Sequence, residues 1–309
     1  MFEVFLTTIS KVSTLLIFIG LGYILRRSRK LPDNAGRVLS MLTTLVFSPA
    51  YTIKNLSASL TLETLGSQLV LIGYGLVFVL AVIGLAYLLA KPMSRDDFER
   101  RSTIYAFSIP NYGYFGYPLV EGVFGSAVLS QMMIFGLPLS IACNTFGYLL
   151  FAKDGKLTLK KILTTPLILG VLTGCFLGLS GIKLPGIITD VLSSAAACMS
   201  PASMLLAGFV LGGFALKDLF KGSRSYLMSA IRLVGIPALV GGVLFLLGIR
   251  GMYLALPVMI LCMPLGLNLV VFPESLGIDA SDNAKMCFVC NLLTIAVLPF
   301  VFALLSQIM

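Results

Sequence analysis

The 309-residue chain is 58% apolar and 11% charged, carries a net charge of +9, and contains no histidine. A soluble domain has roughly 25% charged residues, so this composition excludes an ordinary water-soluble fold and identifies lipid as the solvent. Without histidine, imidazole metal sites, Ser-His triads and histidine proton relays are excluded outright.

FLTTISKVSTLLIFIGLGYIL opens the chain and is long enough, at about 1.5 Å per residue, to cross about 30 Å of hydrocarbon. No basic leader precedes it and no small-residue cleavage site follows, so it reads as a retained span and not a signal peptide. The same reading gives ten spans, at roughly residues 5–26, 36–54, 67–91, 101–123, 127–152, 160–180, 187–213, 223–248, 252–274 and 282–306. The polar links between them are short, so residues 1–309 are expected to form a single membrane domain.

Basic residues orient the spans. Arg26, Arg27, Arg29, Lys30 and Arg37 follow the first; Lys91, Arg95, Arg100 and Arg101 follow the third. Lys153, Lys156, Lys160 and Lys161 follow the fifth, Lys217, Lys221 and Arg224 the seventh, and Lys285 the ninth. The other side holds Lys11, Lys54, Lys183 and Arg250. This bias places both termini outside the cell membrane (the inner membrane of a bacterium). It also accounts for the net positive charge without a nucleic-acid partner. All six cysteines fall inside spans, and the Cys287/Cys290 pair is read as packing rather than redox chemistry. No cofactor and no metal are expected.

The fourth span contains SIPNYGYFGYPLVEGVFG, with two prolines and four glycines where lipid penalises loose backbone most. The ninth contains CMPLGLNLVVFPESLG. Prolines recur in order between the two halves: Pro49 with Pro201, Pro110 with Pro264, Pro118 with Pro273, and Pro138 with Pro299. The offsets of 152, 154, 155 and 161 residues indicate a duplicated five-span unit, residues 1–153 and 154–309. Because five is odd, the second copy enters the membrane from the opposite side. Matching interrupted spans in inverted repeats mark the central site of many secondary transporters. Two such breaks would meet near the midplane and offer half-helix N-termini to an anion.

IPNYGYFGYPLVEGVFG followed by CNTFGYLLF resembles the fourth and fifth helices of the auxin efflux carrier family, whose bacterial branch includes permeases for malate and related acids. MSPASMLLAGFVLGG resembles its seventh helix, MPLGLNLVVFPESLG its ninth and CNLLTIAVLPF its tenth. The resemblance covers essentially the whole chain. Plant members carry a long loop after the fifth helix, whereas here the link is KDGKLTLKK, as in a prokaryotic carrier. The resemblance implies an all-α polytopic fold of ten helices in two inverted repeats, shared with bile-acid sodium symporters, in which helices four and nine cross as broken helices. It further implies an elevator, with spans one, two, six and seven as scaffold and the rest as a moving transport domain. By the family pattern, Asn111 and Asn268 contact substrate, within breaks formed by Pro110, Gly113, Tyr114, Pro264 and Gly266.

The remaining polar residues of the spans have two readings each. Asn144 and Asn291 occupy comparable places in the two repeats, and either supply amides to the cavity or join helices by hydrogen bonds. Arg232 either snorkels to the interface, the favoured reading, or meets a substrate carboxylate. Asp190 and Glu121 are expected at the interface, with titration in a cavity mouth as the alternative. Tyr112, Tyr114 and Phe115 either line an apolar pocket or pack between helices.

The expectation is a secondary transporter for a small organic anion, a mono- or dicarboxylate such as malate or an auxin-like acid. Its partners would be that anion, the bilayer and, at most, a second copy of the chain. A channel-like pore or a membrane sensor of the same fold is the alternative. An intramembrane enzyme would need a nucleophile–base pair or clustered carboxylates, and the spans offer neither. Neither break contains a carboxylate, so transport is expected not to need sodium.

Overall fold

The computed structural model describes residues 1–32, 34–152 and 164–309. Their regular elements are helical, and β structure is confined to an isolated bridge between Pro110 and Leu265. In chain order we label α1 (Phe2–Arg27), α2 (35–59), α3 (Leu65–Met93), α4 (Asp97–Ser108), α5 (Tyr112–Phe135) and α6 (137–149). There follow α7 (Pro166–Ser180), α8 (Gly186–Leu211), α9 (Ser223–Leu246), α10 (Met252–Leu261), α11 (Asn268–Ser275) and α12 (Ser281–Leu305). Among the described residues, α1, α3, α5, α8, α9 and α12 are long and apolar enough to cross a membrane, and α7 and α10 are shorter apolar helices. The protein is therefore a polytopic, all-helical membrane protein. The link KDGKLTLKK, with Lys153, Lys156, Lys160 and Lys161, and the expected start of the sixth span lie outside the described residues.

The surface is what lipid requires. Leu69, Val70, Leu76, Val77, Leu80 and Leu88 of α3 are exposed, while Leu71, Phe78, Val79, Val82 and Ala86 of the same helix are buried. A helix apolar on all sides is stable in this way only where one face meets hydrocarbon. The interior belongs to short helices instead. In α4, Ser102 to Ser108 are buried on every face, as are Leu254 to Leu261 of α10.

Small residues set the helix contacts, as lipid gives neighbouring helices no hydrophobic drive to associate. Gly22 of α1 and Gly208 of α8 face backbone of the opposite helix: a side chain at Gly22 would strike the Leu205 carbonyl, and one at Gly208 the Ile19 carbonyl. On α7, Gly170, Gly174 and Gly178, four residues apart, form a stripe against Pro49, Ile53 and Leu56 of α2 and against Leu60 just beyond its end.

Local signals shape the helix ends. Asp96 caps α4 by accepting from Glu99 N (2.8 Å), and Glu99 reaches back to accept from Arg95 N (2.8 Å), a variant of the capping box. Asp97 in the first turn accepts hydrogen bonds from Arg101 and Arg100, which hold its carboxyl below the usual carboxylate range. The long α5 is broken at Gly125, whose backbone (φ 83°, ψ 176°) lies where glycine alone is at ease. That break separates the expected fourth and fifth spans. The fifth is interrupted again at Gly136, just before Pro138.

Candidate functional site

α4 ends at Ser108 because Pro110 follows two residues later: the residue before a proline is pushed out of helical geometry, and Ile109 is extended (φ −120°, ψ 95°). α10 ends at Leu261, three residues before Pro264. The two loose segments cross and repair each other. Asn111 N donates to the Pro264 carbonyl at 2.8 Å, and Pro110 pairs antiparallel with Leu265. The chain then re-enters helix at Tyr112 and at Asn268. Bare backbone in lipid is thereby avoided in the way membranes permit, by burying each break against the other inside protein.

The crossing forms one wall of a cavity of about 280 Å³. Tyr112, Gly113 and Tyr114 at the start of α5, and Gly266, Leu267 and Asn268 at the start of α11, line it. First-turn amides lack an intrahelical acceptor, and the helix dipole adds partial positive charge there. α2 supplies the facing wall through Ser40, Thr44, Ser48 and Thr52. Among the described residues, no charged side chain lines the cavity. The arrangement can therefore hold a small anion by amide and hydroxyl donors, without an ion pair. A second cavity of about 570 Å³ shares Ser40 and Val271 with the first and carries Arg26, Arg37 and Glu274.

Of the residues singled out in the sequence, Pro110, Asn111, Gly113, Tyr114, Asn144, Gly266 and Asn268 come together around the cavity. Pro264 stands behind the wall as the acceptor for Asn111 N. Asn144 Nδ2 also donates to the Ser140 carbonyl (2.9 Å), and Asn268 Nδ2 makes a long contact of 3.8 Å to Cys143 Sγ. Asn291 does not join them: it is buried in α12 and donates to the Cys287 carbonyl of its own helix at 2.7 Å. Tyr112 lines the wall, its hydroxyl donating to Ser140 Oγ at 2.8 Å, whereas Phe115 is packed away at 0% exposure.

The charged candidates take three different positions. Asp190 is exposed on α8, away from the cavity. Glu121 is half-buried and accepts from the Tyr51 hydroxyl (3.1 Å), and Tyr51 stacks on Tyr117 of the cavity wall at 6.2 Å. Arg232 departs from both readings. It is 0% exposed, so it does not snorkel, and it does not line the cavity. The Phe107 carbonyl of α4 accepts from Arg232 Nη1 at 3.4 Å.

Tyr105, Tyr117, Ser140, Cys143 and the hydroxyl row of α2 also line the cavity and were not anticipated. The row had a signal. Ser40, Thr44, Ser48 and Thr52 recur every fourth residue along the second span. At about 3.6 residues per turn such a row drifts around the axis; the wider π turn at Thr43–Phe47 opposes that drift.

Residues 7–302 match the family described as membrane transport protein. An uncharacterized transporter from Methanothermobacter thermautotrophicus is similar to the chain, 25% identical over 199 residues. That alignment covers 63% of this chain and 64% of the relative's length.

Proposed function

The chain belongs to the membrane transport protein family, and from that premise we propose that it is a secondary transporter of the auxin efflux carrier type, moving a small organic anion with a carboxylate. One observation carries the reading: a neutral cavity of about 280 Å³ bordered by two helix N-termini and by Asn111 and Asn268, on breaks that cross. Its volume suits a small acid. The dipole ends and amides favour negative charge, and the tyrosine rings suit an apolar carbon skeleton. The correspondence of α4–break–α5 with α10–break–α11 supports an inverted repeat, in which rigid movement of one half against the other exposes the site alternately. The glycine-packed pairs α1–α8 and α2–α7 would form the fixed part. The adjoining cavity with Arg26 and Arg37 would gather anions at its mouth, on the cytoplasmic side in the orientation that the basic residues favour.

The experiment is a thermal-shift screen of purified protein against mono- and dicarboxylates, followed by liposome uptake of the hits. Saturable uptake with trans-stimulation is expected. Uptake that neither saturates nor responds to internal substrate would sink the carrier in favour of a channel-like pore. Topology has its own test. Single cysteines placed at Arg95 and at Lys183 should react with an impermeant maleimide from opposite faces, and labelling from one face would contradict the inverted repeat.

A further inference from the structure

Arg232 is the largest fully enclosed side chain among the described residues. It sits in the π stretch Ile231–Gly235 of α9, and no ion pair among the described residues includes it. Its hydrogen bonding is poor: Nη1 makes the 3.4 Å bond to Phe107, while Nε and Nη2 have no partner among the described residues. A guanidinium kept for its fork of donors has them satisfied. This one is kept for its charge.

That charge meets the negative end of α4, beside the crossing where α10 also ends. Phe107, whose carbonyl accepts from Arg232, is the penultimate residue of α4, and α10 ends at the same crossing, where Asn111 N donates to the Pro264 carbonyl. Each helix C-terminus carries about half a negative charge, so two together roughly match one guanidinium. In carriers with broken helices, unwound carbonyls and half-helix C-termini are where a driving cation is coordinated. We infer that Arg232 is a built-in counter-cation, held permanently at the crossing where a cotransported inorganic cation would otherwise bind. The inference rests on the transporter reading. It supplies a physical reason for transport without sodium, since arginine keeps its charge at all physiological pH values.

The test needs no transported anion. The chain has no tryptophan, but Cys262, Cys287 and Cys290 are buried, so a thiol-reactive dye reports thermal unfolding. Arg232→Lys should melt close to the wild type, and Arg232→Gln and Arg232→Ala lower. Guanidinium or sodium chloride at tens of millimolar should raise the melting temperature of Arg232→Ala by about 3 °C, as expected of a weakly bound ligand. Choline chloride should not, and none of the three salts should move the wild type. A lysine variant as damaged as the glutamine one, or an alanine variant indifferent to guanidinium and sodium, overturns the inference. If the neutral variants cannot be purified, the lysine variant decides: recovery supports a requirement for charge, and loss refutes it. Failure here leaves the anion site at Asn111 and Asn268 untouched, and failure of that site leaves these melting temperatures unchanged.

Discussion

Asn111→Ala and Asn268→Ala should each weaken binding of the carboxylate found by thermal-shift screening about tenfold to a hundredfold, with folding intact. Both side chains border a cavity with no charged side chain among its described lining residues, so amide donors carry a large share of the anion's stabilisation. A hydrogen bond to a charged group contributes about 1.5–3 kcal/mol, which corresponds to that range of affinity. Neither substitution removes a backbone bond of the crossing, because the bond to Pro264 comes from the main chain of Asn111. The 3.8 Å contact of Asn268 to Cys143 is long enough to yield to a ligand. Asn291→Ala is the control. Its amide is committed to the Cys287 carbonyl, so affinity should stay within about twofold. Titrations of the three purified variants check this, and wild-type affinity for Asn111→Ala and Asn268→Ala would reduce those residues to braces of the break.

Gly208→Leu should abolish recovery of monodisperse protein, and Gly22→Leu should do the same. At each position the first side-chain carbon would meet a backbone carbonyl of the facing helix, Ile19 for Gly208 and Leu205 for Gly22. Overpacking a core costs about 1–3 kcal/mol when side chains can shift. Here the obstacle is main chain, and relief requires separating α1 from α8 along their length. At Gly73 and Gly84 on α3 the first side-chain carbon would meet nothing within 4 Å, so Gly73→Leu and Gly84→Leu should be recovered at wild-type yield. Size-exclusion profiles after identical expression decide the matter, and a monodisperse Gly208→Leu would show that the two helices are free to part.

The hydroxyl row of α2 and the charge of Arg232 show where sequence reading stopped. Ser40, Thr44, Ser48 and Thr52 were visible as a fourth-residue repeat. Whether such a stripe faces a cavity or another helix depends on what packs beside it. Asn144 and Asn291, comparable in the sequence, each bond a carbonyl one turn back on their own helix, but Asn144 borders the cavity and Asn291 does not. Glu274 closes the expected ninth span in the sequence and stands in the wall of the adjoining cavity in the fold.

That the chain is helical and membrane-embedded, and that it carries two matching Pro-Gly-Asn breaks, is legible in the amino-acid order alone. Lipid offers backbone no water, so spans must be long and apolar, and any interruption stands out as a cluster of helix breakers. It takes the packed fold to show that the breaks bond to each other through Asn111 and Pro264, and that a cavity with no charged side chain among its described lining residues opens beside them. The packed fold also decided that Arg232 is sealed against Phe107 instead of reaching the surface. Snorkelling is a property of an isolated helix, whose long side chains are free to bend towards water. Once the packed helices enclose Arg232, that route is closed, and the fate of the charge is set by the helix end it meets.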